Sequence, residues 1–146
     1  MSTNNAIGSR ILVDSNVLVG LYNKTDSLHQ KSRSLMKKLE SLESALFVTN
    51  YILLELYTVI SQRVGKPAAL KFGEDIKREK PFTGIIWISE EKDEKTWEIF
   101  KKVKNKDVSF VDCNNIAIAL EEDLKIATFD KNLIKLQKDF GFEVLI

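Results

Sequence analysis

The sequence predicts a three-layer α/β/α fold on a parallel, five-stranded sheet. Short β-branched runs alternate with longer amphipathic runs, the order expected of strand–helix units. The short runs are apolar along their whole length, as strands covered on both faces must be. Six Gly and two Pro among 146 residues leave no linker, repeat or low-complexity stretch. The chain therefore reads as a single domain over residues 1–146, with residues 1–9 a flexible polar segment.

Each element follows from local pattern. Arg10–Val13 (RILV) is the first strand, followed at once by a helix from Ser15 to Asn23. Thr25 and Asp26 open a second helix, whose Leu28, Leu35, Met36, Leu39 and Leu42 fall on one stripe. Ala45–Thr49 is the second strand, and Asn50 is placed to cap the helix Tyr51–Val64, which is apolar nearly all round. Gly65-Lys66-Pro67 stops that helix and starts another, which Pro81 ends. Gly84–Ser89 is the third strand. Glu90–Lys104 is a charged helix expected to bury Trp97, Phe100 and Val103. A helix from Asp112 to Glu122, a strand Lys125–Phe129, a helix Lys131–Asp139 and a strand Glu143–Ile146 complete the chain.

Composition narrows the function. One Cys and one His exclude an intrachain disulfide and a zinc site of several Cys and His ligands. The first ten residues lack an apolar signal core, and no apolar run is long enough to span a membrane, so a cytoplasmic setting is expected. With 22 basic and 21 acidic residues, net charge does not announce a nucleic-acid binder, although an enzyme needs only a local basic strip.

In a parallel α/β sheet, chemistry collects at the carboxyl ends of the strands. Asp14 follows the first strand, Asp130 follows the fourth, Glu55 lies early on the helix after the second, and Asp112 starts the helix leading into the fourth. All four can project from one edge. Converging carboxylates repel one another, whereas a hard cation such as Mg²⁺ or Mn²⁺ takes oxygen ligands. Taken singly, Asp14, Asp112 and Asp130 are each accounted for as helix caps. Glu55 is harder to dismiss, because YILLELYTVI contains no other charge; its alternatives are partial exposure or pairing with Arg63.

The order DSNVL (Asp14–Leu18), NYILLE (Asn50–Glu55), SFVDCNNIAIALEE (Ser109–Glu122) and IATFD (Ile126–Asp130) resembles a PIN domain of the VapC type over nearly the whole chain. The resemblance implies a Mg²⁺- or Mn²⁺-dependent endoribonuclease that leaves a 5′-phosphate and a 3′-hydroxyl. It implies Asp14, Glu55, Asp112 and Asp130 as catalytic and metal-site acids, with Asn16 and Thr128 as the polar residues beside the first and last. Many members are toxins of toxin–antitoxin pairs, which implies an RNA substrate, an antitoxin partner and a homodimer. Asp26-x-x-His29 resembles an element found after the first helix in the toxins. Asn114 and Asn115 depart from the pattern, since that turn is usually more apolar; Asn115, one turn after Asp112, is placed to face the site.

Several features have plainer readings. His29 reads as a structural residue, Cys113 as a buried packer, and Trp87 and Trp97 as core or interface residues. Lys37-Lys38 and KKVKNK (Lys101–Lys106) read as solvated faces, with phosphate contact the alternative. Lys131, beside Asp130, is the leading candidate for an RNA phosphate contact. Leu53, Leu54, Leu56 and Tyr57 form an apolar surplus expected to supply a dimer face. Rival functions are a haloacid-dehalogenase-type phosphoryl-transfer enzyme, opposed by Asn16 where a second Asp is expected, a silent PIN-like interaction module, and a stand-alone PIN nuclease of RNA processing.

Overall fold

Strand β1 (Arg10–Val13) lies at the centre of the sheet, and its Ile11, Leu12 and Val13 are fully buried. The computed structural model describes residues 8–146. Most of the polar N-terminal segment expected to be flexible, residues 1–7, lies outside the described residues. Its last two residues are tied down: Gly8 N–H donates to Leu42 O at 2.9 Å and Ser9 O accepts from Ala45 N–H at 2.9 Å.

From β1 the chain runs through α1 (Ser15–Tyr22), α2 (His29–Ser41), β2 (Ala45–Thr49), α3 (Asn50–Arg63), α4 (Lys66–Glu79), β3 (Gly84–Ile86), α5 (Glu90–Lys102), α6 (Phe110–Glu122), β4 (Lys125–Ala127), α7 (Lys131–Lys135), α8 (Gln137–Phe140) and β5 (Val144–Leu145). The five strands are all parallel in the order β3-β2-β1-β4-β5. Leu12 sits between Phe47 and Ile126 in register. The helices pack in two groups, α1 to α4 and α5 with α6, which make the outer layers over the sheet. Ile52 and Leu56 of α3 and Ile116 and Ile118 of α6 are fully buried in the shared core.

The strand order decides where a site belongs. From β1 the chain builds one way through β2 and β3, and then the other way through β4 and β5. The crevice outside the carboxyl ends of β1 and β4 is therefore the topological switch point, where open α/β sheets bind ligands. Asp14 leaves β1 there, and Thr128 to Asp130 leave β4.

Several boundaries differ from the sequence expectation, each for a local reason. Thr49, not Asn50, caps α3, its Oγ1 accepting from Ile52 N–H at 3.0 Å. Asn50 instead reaches across to accept from Ile88 N–H at 2.8 Å, which takes that amide out of the ladder and helps end β3 at Ile86. The second helix starts at His29, because Asp26 Oδ1 first holds Leu28 N–H in a turn. Helix α6 starts at Phe110 rather than Asp112, capped by Ser109. The expected helix Lys131–Asp139 is broken at Leu136, where ψ of −4° interrupts the spiral. Strand β4 ends at Ala127 because Thr128 and Phe129 are drawn into side-chain hydrogen bonds.

The burial expected on α5 is also corrected. Thr96 is the residue buried there, while Trp97 and Phe100 remain exposed and Val103 is half-buried. Thr96 turns inward because Asn114 of α6, itself fully buried, donates to its Oγ1 at 2.8 Å. Among the described residues no helix is long and apolar enough to cross a membrane.

Candidate metal centre

Asp14 is the buried centre of the switch point. It caps α1, and both carboxylate oxygens are engaged. Oδ1 accepts from Ser15 N–H at 2.8 Å and Asn115 Nδ2 at 3.2 Å. Oδ2 accepts from Thr128 Oγ1 at 2.7 Å. Thr128 Oγ1 in turn accepts from Asn16 Nδ2 at 3.1 Å and Asp130 N–H at 3.0 Å, and Asn16 Oδ1 accepts from Phe129 N–H at 3.2 Å. One polar network thus ties the end of β1, the end of β4 and the first turns of α6.

The other three acids are each held by their own helix or a neighbouring one. Glu55 stands half-buried on α3, its carboxylate hydrogen-bonded by Ser15. Asp112 is the third residue of α6 and completes a capping box: its amide donates to Ser109 Oγ at 3.1 Å, and its Oδ2 accepts from Ser109 N–H at 2.9 Å. Asp130 caps α7, its Oδ1 accepting from Asn132 and Leu133 amides at 2.9 and 3.4 Å. The cap reading thus describes Asp14 and Asp130 correctly as far as it goes, and Asp112 is a capping-box acid rather than the cap itself.

The caps do not account for the electrostatics. Burial, with the nearby Asp112 and Glu55 charges, pushes Asp14 up from its ordinary 3.8 to about 7 against the pull of Thr128 and the Ser15 amide. Glu55 is raised by burial and by Asp112 and Asp130. Asp112 is raised by burial and by Asp130. The four acids therefore share one field. Among the described residues no ion pair joins any of them to Lys or Arg. Arg63, the alternative partner for Glu55, lies 4.0 Å from Asp26 instead.

Uncompensated carboxylates and buried amide oxygens suit a hard divalent cation. The buried Oδ1 of Asn115 has no hydrogen-bond partner among the described residues, although its Nδ2 is bound to Asp14. That leaves a spare oxygen donor beside the most strongly perturbed acid. No three Asp, Glu, His or Cys side chains among the described residues already stand in a metal-holding arrangement.

Sequence reasoning left two residues of the network aside, Ser15 and Ser109. The signal for Ser109 was present, since Ser followed three residues later by an acid is a capping-box pattern. Ser15 carried no comparable signal. His29 is structural, its Nδ1 lying 2.8 Å from Gly20 O and fixing the start of α2 to α1. Cys113 is fully buried, and burial pushes its thiol up to about 11, which suits a packing residue and not a nucleophile. Lys131 is exposed on the first turn of α7.

A family model for the PIN domain matches residues 11–139 of the chain. Comparison with curated protein sequences gives no match. Among solved structures, the chain is similar to VapC20 of Mycobacterium tuberculosis, described as a sarcin–ricin loop cleaving toxin. The TM-score is 0.75 at 21% identity, over 86% of this chain and 93% of that one. It is also similar to FitAcB of Neisseria gonorrhoeae, with a TM-score of 0.69 at 17% identity, over 93% and 96% of the two chains. A third similar structure is VapBC2 of Rickettsia felis bound to a DNA fragment from its promoter, with a TM-score of 0.64 at 18% identity, over 93% and 97%.

Proposed function

The chain belongs to the PIN domain family, and from that premise we propose that it is a Mg²⁺- or Mn²⁺-dependent endoribonuclease, the toxin of a toxin–antitoxin pair. The observation that carries this reading is the cluster Asp14, Glu55, Asp112 and Asp130 at the switch point, four acids in one field with no cationic partner among the described residues. A divalent cation held there supplies an activated water for attack on phosphorus and neutralises charge on the phosphodiester. The chain's own residues set the geometry. Asn115 and Thr128 fix both oxygens of Asp14, Asn16 holds Thr128, Ser15 orients Glu55, and Ser109 orients Asp112. Such supporting hydrogen bonds keep ligands aimed and tune their basicity. No protein nucleophile is required, consistent with the buried, unreactive Cys113.

The toxin role draws support from the likeness to a toxin described as cleaving the sarcin–ricin loop. An antitoxin segment over the acidic edge is the corresponding partner. The test uses end-labelled RNA and p-nitrophenyl phosphate, each with Mn²⁺ or EDTA. The expected result is RNA cutting that EDTA abolishes, with p-nitrophenyl phosphate untouched. Turnover of p-nitrophenyl phosphate alone points to the phosphatase-type alternative, and inertness on both to a silent interaction module.

Of the four residues the sequence suggested for a homodimer face, the proposed face keeps Leu54. Leu53 and Leu56 are buried in the core and Tyr57 is half-buried, while Leu54 is 65% exposed. Leu54 shares a nearly apolar hollow with Tyr51, Val59, Phe110 and Val111, next to Glu55. Phe110 meets Phe100 at 5.4 Å, and Phe100 meets Trp97 at 5.8 Å between ring centroids. The result is a continuous apolar strip across α3, α6 and α5, of the kind that marks an interface. Light scattering at micromolar concentration should give a dimer for the wild type and a monomer for Leu54→Glu/Trp97→Glu. A wild-type monomer would count against the interface.

A further inference from the structure

The segment between α5 and α6, residues 103–109, is fastened to the acidic cluster from both sides. At its end, Ser109 N–H donates to the carboxylate of Asp112. Near its start, Asn105 Nδ2 donates to Asn132 Oδ1 at 3.4 Å, on the first turn of α7 beside Asp130 and Lys131. Asn105 also closes the segment on itself: its Oδ1 accepts from Asp107 N–H at 2.9 Å, and its carbonyl accepts from Val108 N–H at 3.1 Å. Val108 is buried and anchors the turn. The segment therefore spans the opening between the start of α6 and the start of α7, the two elements that carry Asp112 and Asp130.

This placement divides the basic run Lys101–Lys106, which in sequence reads as one solvated helix face. Lys101 belongs to that face, paired with Glu98 at 3.0 Å. Lys104 and Lys106 lie beyond the end of α5, on the fastened segment. Lys104, Lys106 and Lys131 are exposed, and none has an ion pair among the described residues. Asp107 is the one acid within the segment. An inner set of carboxylates and an outer set of lysines together match a ligand with a cation at its centre and further negative charges on either side.

We propose that Lys104 and Lys106, with Lys131, form a basic rim that holds the phosphates flanking the scissile bond of a single-stranded nucleic acid. This inference rests on the nuclease reading and assigns the substrate-binding residues of the same site. Phosphate contacts of this kind position a strand without reading its sequence, and they make binding salt-dependent.

The test measures binding of a fluorescently labelled single-stranded oligoribonucleotide by anisotropy, in EDTA, over a series of salt concentrations. Each neutralised phosphate on a single strand contributes about 0.7 to the slope of log affinity against log salt. The variant Lys104→Ala/Lys106→Ala/Lys131→Ala should lower the magnitude of that slope by about 2. The control Lys77→Ala/Lys80→Ala alters lysines beside Gly84 and Ile85, and should leave the slope unchanged. A triple variant with the wild-type slope, or a control that loses as much, overturns the rim. Binding in EDTA needs no cleavage, so the rim is judged even if the wild type fails to cut RNA. Conversely, if Asp14→Asn abolishes cutting while the triple variant binds as wild type, the nuclease reading stands and the rim falls.

Discussion

Asp14→Asn and Asp112→Asn are each expected to lower Mn²⁺-dependent RNA cleavage at limiting metal by at least about a hundredfold, the upper range seen when residues supporting a metal ligand are changed. Both changes keep side-chain shape and remove a negative oxygen ligand. If the two acids serve only their helices, neither change should alter cleavage, because Asn caps a helix about as well as Asp at position 14 and keeps an acceptor oxygen for Ser109 N–H at position 112. The network around Asp14 makes the stability outcome specific. Thr128 Oγ1 donates to Asp14 Oδ2 and already accepts from Asn16 and Asp130, so the introduced amide cannot take that donor and crowds the hydroxyl. That mismatch costs about 1–3 kcal/mol. Against it stands the relief of a carboxylate pushed up to about 7, on the order of 4 kcal/mol when it is fully ionised. The metal-free variant should therefore be at least as stable as the wild type above neutral pH. Asp26→Asn, remote from the cluster and paired with Arg63, is the control that leaves cleavage intact.

Cleavage and Mn²⁺ affinity should both rise steeply as pH is raised through about 7, where Asp14 loses its proton. A metal ligand must be ionised, and the proton competes with the cation for the same oxygens. The stability of the metal-free protein should move the other way. Between the ordinary carboxyl value of 3.8 and about 7, the folded chain keeps the Asp14 proton that the unfolded chain has lost. The folded state then binds more protons, so its stability falls as pH rises across that window. Urea melts at pH 5 and pH 8 in EDTA check this: the wild type should lose stability between the two, and Asp14→Asn should lose less. Raised Glu55 and Asp112 act in the same direction. A wild-type melt that is level across the window, together with pH-independent cleavage, would contradict a buried acidic site.

The sheet and the position of the cluster were legible because they depend on coarse patterns. RILV, ALFVT and KIATF are largely apolar, Asp14 and Asp130 directly follow the first and the last, and Glu55 lies on the helix after the second. Strand ends were less legible, because side chains distant in sequence decide them. Asn50 takes the amide of Ile88, 38 residues away, and Asn16 takes that of Phe129, 113 residues away. The inward face of α5 was misread for a similar reason. The size of Trp97 and Phe100 suggested burial, yet the buried Asn114 needs a polar partner and Thr96 supplies it. Counting one helical turn from Asp112 turned Asn115 toward the same edge, and its Nδ2 donates to Asp14. The separation of Lys104 and Lys106 from the α5 surface could not be read from KKVKNK, since it depends on where the helix stops and on the Asn105–Asn132 contact.

Titration calorimetry with Mn²⁺ at pH 8 checks the proposal that Asp14, Glu55, Asp112 and Asp130 together hold a divalent cation. Saturable binding is expected to the wild type and to Asp26→Asn. Weakening of at least about tenfold is expected in Asp14→Asn, Asp112→Asn and Glu55→Gln, each checked for folding by circular dichroism. Equal Mn²⁺ binding by the folded wild type and all three cluster variants, or none by the wild type, would contradict it.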